Sequence, residues 1–427
     1  MRCLQVKRAE MVEVTNSDMW VGDLEAGGGK VAATDEPPAT MGPALAASMV
    51  MGLIFGAVMD LGKVTNPIVI REQFIFQRFI MLKMFLSAAG TSAFCFAVLS
   101  KTAPRKFEAA REAFFPGLVQ KGFLSVVIGP VLLGAGMALA GACPGMVLIQ
   151  CGGGVTSGPV TLAGGFLGAI VFAFVQPYLV GVMGVCKIEK HKAEDFKILS
   201  KVPFFYLAMG VCAACFAIIA IFEVYFPWDS GAPGDVVRKE WRQWAWTAEL
   251  PWLAEPWVNT LPPALMGLGV GFNQIPCVLF CADSIGSSTA YMTLSSQWLG
   301  LNKAVQVKMA HWEGYRVGVG NWWQAVYVLA AVLGAFISSW STGTFNVAKP
   351  VKEWEAFLGG FIMIFGSRFG SGCTSGHGLS GMGLLAVKSI VAVPFMFAGG
   401  IVTGFIYQAV DPAGYTGFAY TNHHQAF

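Results

Sequence analysis

The sequence has 427 residues, of which 55% are hydrophobic and 12% are charged, and its formal net charge is +3. Because an average soluble domain carries roughly a quarter charged residues, this composition excludes an ordinary soluble protein. The small, scattered positive charge also argues against a nucleic-acid partner, since nucleic-acid-binding proteins concentrate Lys and Arg on one face or in one tract.

The first 42 residues contain acids, Gly and Pro without apolar periodicity, so we expect a polar, disordered N-terminal tail at 1–42. They lack the apolar core of a cleaved signal peptide. From Ala44 onward, apolar stretches of about 17 to 25 residues recur, each long enough to cross a hydrocarbon layer about 30 Å thick as a helix. The sequence therefore predicts an all-α integral membrane protein in a lipid bilayer.

About nine membrane-spanning helices are predicted in chain order. They cover residues 43–61, 78–99, 122–142, 157–184, 203–225, 262–282, 322–342, 356–372 and 388–410. Three apolar pieces are too short to cross, at 144–152, 285–296 and 377–386. We predict that these pieces are re-entrant helices, which are tolerated where protein or a water-filled cavity satisfies the backbone.

The spans fall into two membrane halves with extramembrane segments around them. The first half covers 43–225 and the second covers 262–410, with a Trp-rich loop at 226–261 and a C-terminal tail at 411–427. Lys and Arg are concentrated in the N-terminal tail and in the loops after every second span. The positive-inside rule then predicts a cytoplasmic N-terminus and a C-terminus on the opposite side, and we expect the cell membrane.

The two halves contain a weak internal repeat. Residues 129–145 read GPVLLGAGMALAGACPG, and residues 360–378 read GFIMIFGSRFGSGCTSGHG. In each, an apolar span becomes Gly-rich and then reaches a Gly-x-Cys sequence beside a helix breaker. Because an odd number of spans separates corresponding elements, the second half enters the membrane from the opposite side. This pattern predicts two inverted-topology repeats, with substrate sites near the midplane at broken helices.

The first predicted binding site comprises Gly141, Cys143, Pro144 and Gly145. Proline removes a backbone donor and disfavours helix just before itself, so the span should break at Cys143. The glycines let the backbone turn tightly and approach a ligand. A helix that starts after the break would direct unpaired N–H groups at it, an arrangement that binds anions.

The second predicted site comprises Gly372, Cys373, Thr374, Ser375 and His377. Its hydroxyl groups could cap the following helix or donate to an oxyanion. Arg368 is a basic residue deep within a late span, and such a residue indicates either function or a structural partner.

Three alternatives remain open. The glycines could serve only close packing of small residues between helices. Cys373 and His377 could form a Cys and His pair in a membrane-embedded sulfurtransferase or thiol redox enzyme, although the sequence supplies no clear orienting carboxylate. Cys277 and Cys281, an accessory pair at i and i+4, could belong to a soft-metal carrier. We expect a protein that is not an enzyme and has no cofactor or resident metal.

At both sites the chain resembles the YeeE/YedE sulfur-transport family. The segments that carry the resemblance are GSRFGSGCTSGHGLSGMG at 366–383 and LGAGMALAGACPG at 133–145, within a similarity that covers roughly 45–410. The resemblance implies an hourglass-shaped protein that takes up thiosulfate, in which Cys143 and Cys373 pass the ion along by transient hydrogen bonds. We expect thiosulfate or a similar sulfur anion as the substrate and a cytoplasmic sulfur-acceptor protein as a partner.

Overall fold

A computed structural model describes residues 41–62, 64–119, 121–185, 191–197, 199–227, 261–301, 303, 306, 309–412 and 415. The predicted N-terminal tail, apart from its last two residues, lies outside these ranges. So do nearly all of the predicted Trp-rich loop and most of the C-terminal tail. The boundaries proposed for these segments remain predictions.

The described chain is helical. In chain order the helices are α1 (Met41–Leu61), α2 (Pro67–Phe74), α3 (Ile80–Thr102), α4 (Pro104–Phe114), α5 (Phe123–Ala140), α6 (Met146–Gly152), α7 (Ser157–Met183), α8 (Phe204–Tyr225), α9 (Pro263–Cys281), α10 (Ser288–Ser295), α11 (Val319–Ser341), α12 (Glu353–Phe369), α13 (Thr374–Gly381) and α14 (Val387–Val410). Helix α9 consists of Pro263–Phe272, Gln274–Pro276 and a π-helical turn at Cys277–Cys281, and α13 is also π-helical. Short turns lie at Pro116–Val119, Ala193–Asp195, Gln297–Leu301 and Ala310–Glu313.

Eight helices in the described ranges are long and apolar enough to cross a membrane, namely α1, α3, α5, α7, α8, α9, α11 and α14. Helices α12 and α13 make a ninth crossing when counted together, with a bend of 45° between them. The chain is therefore a multi-pass, all-α membrane protein, as the sequence predicts.

The span predicted at 356–372 extends too far at its C-terminal end. Helix α12 ends at Phe369, because Gly370 closes the last turn and Ser371 then adopts a left-handed conformation with φ of 67°. A residue with positive φ cannot continue a right-handed helix. The short piece predicted at 377–386 correspondingly begins earlier, at Thr374.

The long helices pack reciprocally between the two halves. Helix α1 packs on α11 and α3 on α9, while α5 packs on α14 and α7 on α12. Helices α5 and α12 also pack on each other. Each of these helices of the first half has an equivalent in the second: α1 corresponds to α9, α3 to α11, α5 to α12 and α7 to α14. When every helix is replaced by its equivalent, the same set of contacts results. The packing supports the prediction of two inverted repeats. Helix α8 lies outside this symmetric set and packs on α3.

Glycines bring α5 and α12 into backbone contact. A Cβ atom added to Gly359 would lie 2.5 Å from the backbone nitrogen of Ala140, and one added to Gly136 would lie 2.4 Å from that of Met363. Only a residue without a side chain fits at either position, which is the small-residue packing common between membrane helices. Because α5 and α12 lead directly into the two predicted sites, this contact fixes against each other the two helices that carry those sites.

A short helix follows the first span of each pair, so that the units α1–α2–α3, α5–α6–α7, α9–α10–α11 and α12–α13–α14 share one plan. Helices α6, α10 and α13 were predicted, whereas α2 was missed because Arg71 and Glu72 interrupt its apolar pattern. The signal that marks its start is Asn66-Pro67. The Asn66 side chain accepts a hydrogen bond from the Ile68 N–H at 3.0 Å, and proline occupies the first helical position.

Candidate functional site

The first break lies between α5 and α6. Gly141 ends α5 in the left-handed conformation with φ of 60°, a conformation that glycine adopts without steric cost. Its carbonyl accepts a hydrogen bond from Gln150 Nε2 at 2.8 Å. A Cβ atom on Gly141 would lie 2.6 Å from Pro67 Cβ, so the start of α2 packs directly on the turn. The helix thus ends two residues before the end of the predicted span at 122–142, at Ala140.

The turn places Cys143 inside the protein, next to apolar residues of the core. Its side chain is buried, and the backbone N–H groups of Gly145 and Met146 lie close enough to the sulfur to interact with it. The carbonyl of Pro144 accepts a hydrogen bond from the hydroxyl of Tyr291 at 2.9 Å. Since Tyr291 belongs to α10, this bond joins the first break to the second half of the chain.

The second break repeats this spacing. Ser371 has the left-handed conformation, and Cys373 follows two residues later, just as Cys143 follows Gly141. The Cys373 sulfur lies 3.1 Å from Ser375 Oγ and 3.5 Å from Ser287 Oγ. These two hydroxyl oxygens are 3.4 Å apart.

Backbone groups complete the surroundings of this thiol. The N–H groups of Ser287 and Gly376 interact with the Cys373 sulfur. A Cβ atom on Gly376 would meet nothing nearer than that sulfur, at 3.8 Å, so the glycine leaves space beside it. The thiol therefore lies among hydroxyl and amide groups rather than in an apolar core.

The two breaks meet. The thiols of Cys143 and Cys373 lie near each other. A Cβ atom on Gly145 would lie 3.5 Å from Ser287 Oγ, the same oxygen that contacts the Cys373 sulfur. The structure therefore brings together Cys143, Pro144, Gly145, Cys373 and Ser375 of the predicted residues.

The remaining predicted residues of the second break point elsewhere. Thr374 Oγ1 donates to the sulfur atoms of Met137 and Met396, at 3.4 and 3.5 Å. His377 is buried, with Nδ1 3.0 Å from Ser389 Oγ and Nε2 3.2 Å from the Gly370 carbonyl oxygen. Both of these contacts favour a structural role.

The last two predicted residues, Arg368 and Gly372, lie at and just after the C-terminal end of α12 and make contacts of their own. A Cβ atom on Gly372 would lie 2.6 Å from Nε2 of His377, so Gly372 accommodates the imidazole. Arg368 donates to the Tyr315 hydroxyl at 2.9 Å, and its guanidinium lies 5.2 Å from the centre of the Tyr315 ring. Arg368 thus has a neutral partner in a hydrogen bond and a cation–π contact.

The accessory cysteines form a separate buried pair at the end of α9. Cys281 Sγ lies 3.6 Å from Ser48 Oγ and 3.7 Å from the carbonyl oxygen of Ala44, both on α1. Within the described ranges, no group of three His, Cys, Asp or Glu side chains is placed so that it could hold a metal ion.

Sequence reasoning missed three side chains at the meeting of the breaks: Ser287, Tyr291 and Tyr327. Ser287 stands at the N-cap of α10, where serine is among the preferred residues, so a search for caps would have found it. Tyr291 and Tyr327 both lie near Cys143 and Cys373. Both tyrosines reach the breaks because one face of α10 and one face of α11 point towards the two cysteines. The sequence pattern does not indicate which face that is.

Comparison with known proteins identifies the family. The family described as Sulphur transport matches residues 61–402, which include both breaks and all four short helices. The chain belongs to this family. The match confirms the resemblance to YeeE/YedE proteins predicted from the motifs at 133–145 and 366–383.

Two relatives indicate how far this sulphur transport chain has diverged. It is 21% identical over 360 residues to the "Thiosulfate transporter TsuA" of Spirochaeta thermophila, an alignment that covers 82% of this chain and 95% of the relative. It is 31% identical over 78 residues to a "Probable transporter" of Xylella fastidiosa, covering 18% of this chain and 58% of that protein. The first relative is similar across nearly its whole length, the second only locally.

Proposed function

We propose that this chain transports thiosulfate, or a related small sulfur-containing anion, across a membrane, and that Cys143 and Cys373 contact the ion at the two breaks. The observation that carries the proposal is the meeting of two buried thiols from opposite halves, each beside backbone N–H groups. Membership of the sulphur transport family and the name of the Spirochaeta relative support the substrate class.

The chemistry of the site suits an anion in transit. Two serine hydroxyls and several amides can donate hydrogen bonds to oxyanion oxygens, and such bonds to a charged group are worth about 1.5–3 kcal/mol each. A thiol is a weaker donor than a hydroxyl. Conduction requires binding that is favourable enough for entry and weak enough for release. Weak donors at the two breaks meet both conditions, because they contact the ion without trapping it.

Uptake of labelled thiosulfate tests this proposal. Cells that lack their own thiosulfate carriers, and that express this chain, should accumulate the label, whereas cells with an empty vector should not. An excess of unlabelled thiosulfate should suppress the signal, because both forms compete for one site. Expression in the membrane without uptake above the vector control contradicts the proposal.

The same preparation distinguishes a carrier from a sulfurtransferase. An enzyme that used Cys373 as its nucleophile would carry a persulfide or mixed disulfide during turnover. A carrier would keep the thiol free. The two hydrogen bonds of the His377 ring to Ser389 and Gly370 favour the carrier, since they leave His377 engaged away from Cys373. Mass spectrometry of the intact protein during uptake is expected to find free Cys373.

A further inference from the structure

Tyr327 has a buried hydroxyl group without a hydrogen-bond partner in the described part of the chain. The residue lies on α11 with 1% of its surface exposed, and its ring lies 5.4 Å from that of Phe55 and 6.2 Å from that of Trp323, measured between centroids. Among the residues that the structure describes, its hydroxyl oxygen has no hydrogen-bond partner. Burying such a group without a partner is unfavourable, so the hydroxyl has a hydrogen bond left to donate to a ligand that reaches it.

The hydroxyl lies beside the candidate site. Three thiols lie near it, those of Cys277, Cys373 and Cys143. Phe55, which contacts the Tyr327 ring, also approaches the first break: a Cβ atom on Gly145 would lie 3.5 Å from Phe55 Cζ. Tyr327 and the two breaks therefore border the same region.

Tyr291 provides the contrast that singles out Tyr327. Both tyrosines are buried, and both lie near Cys143 and Cys373. The Tyr291 hydroxyl already donates to the Pro144 carbonyl oxygen, which fixes the first break. The Tyr327 hydroxyl has no such bond within the described part of the chain, so its proton is available to a ligand.

We propose that the Tyr327 hydroxyl donates a hydrogen bond to an oxygen atom of the transported anion while that anion lies between Cys143 and Cys373. This inference rests on the proposed function and adds a specificity residue to it. A phenol is a stronger hydrogen-bond donor than a thiol. Tyr327 therefore selects anions that carry oxyanion oxygens, whereas the thiols contact the ion without holding it.

The test is Tyr327→Phe in the full-length chain, reconstituted in proteoliposomes and assayed for labelled thiosulfate uptake. Loss of one hydrogen bond to a charged ligand should raise the KM by about 10- to 100-fold. Thermal stability should stay the same or rise, because the variant removes only a buried hydroxyl without a protein partner. The matched control is Tyr178→Phe, the same change on α7 at a side chain that is 84% exposed, and its KM should equal that of the wild type.

A second measurement keeps the inference falsifiable if Tyr327→Phe proves less stable. Thiosulfate that binds the folded protein stabilises it by RT ln(1 + L/Kd), where L is the free thiosulfate concentration, so the melting temperature measured over a range of thiosulfate concentrations reports the Kd. That Kd should rise by the same factor as the KM. An unchanged KM, or an unchanged Kd, overturns the inference. Absence of both uptake and thermal shift in the wild type instead rejects the proposed function and this inference with it.

Discussion

Replacing Cys373 by alanine is expected to reduce thiosulfate uptake by roughly 2- to 10-fold, because the anion loses the weak hydrogen bond that the thiol donates beside the two breaks. Cys143→Ala should have a similar effect, since its sulfur occupies the equivalent position in the other repeat, two residues after a left-handed turn. Neither variant removes a large volume, so both proteins should reach the membrane in normal amounts. Uptake should be measured in the cells described above and normalised to the amount of protein.

Two further variants make this prediction specific. Cys212→Ala is the matched control, because Cys212 is partly buried on α8, which packs on the outside of α3 rather than at the breaks. Its uptake should equal that of the wild type. Cys373→Ser keeps a donor at the same place and should retain more uptake than Cys373→Ala. Wild-type uptake by both Cys143→Ala and Cys373→Ala would remove the thiols from the mechanism.

The second large effect is expected at a buried ion pair near the first break. Arg71 on α2 and Glu355 on α12 are 1% and 0% exposed, and their side chains are 2.5 Å apart. Arg71 also donates to the carbonyl oxygens of Leu139 and Tyr415, and Tyr407 donates to Glu355. The pair thus fixes α2, which packs on the Gly141 turn, to α12 and to the residues after α14.

Glu355→Leu should destabilise the protein by about 3–5 kcal/mol, since it leaves the Arg71 guanidinium buried without its counter-charge. The melting temperature in detergent should fall accordingly, and uptake should fall with the loss of folded protein. The double variant Arg71→Met with Glu355→Leu should recover most of the stability, because replacing both partners by apolar groups removes the uncompensated charge.

Lys352→Met is the control for this experiment. Lys352 Nζ lies 3.8 Å from Glu355, but its side chain is half exposed and also pairs with Asp411 at 2.5 Å. Solvent screens such a pair, so the variant should behave nearly as the wild type. If Glu355→Leu proves as stable as Lys352→Met, the buried pair is not what holds α2 in place.

The sequence predicts the spans well because each is a long apolar run, and bilayer thickness leaves few ways to place such a run. It predicts both breaks because Pro144, and the glycines around Cys373, interrupt helices in ways that stereochemistry dictates. The predicted positions of the short helices were less accurate. Helix α2 carries Arg71 and Glu72, which resemble loop residues until their buried partners are known.

The site was predictable only in part. The two cysteines, Ser375 and the first turn could be named from their motifs, because those residue types have local signatures. Ser287 has the local signature of a helix N-cap, but helix packing and not local sequence brings it, and Tyr327 of α11, to the thiols. Thr374 and His377 were selected by their proximity to Cys373 along the chain. In the structure their side chains instead pack against Met137 and Ser389.

The central claim is that one anion lies between the sulfur atoms of Cys143 and Cys373. The most direct measurement is a structure of the full-length protein with bound selenosulfate, in which selenium marks the ion by anomalous scattering. The claim predicts a selenium peak in contact with both sulfurs and bordered by Ser287 and Ser375. A peak elsewhere in the protein, with the two sulfurs enclosed in separate apolar packing, would contradict it.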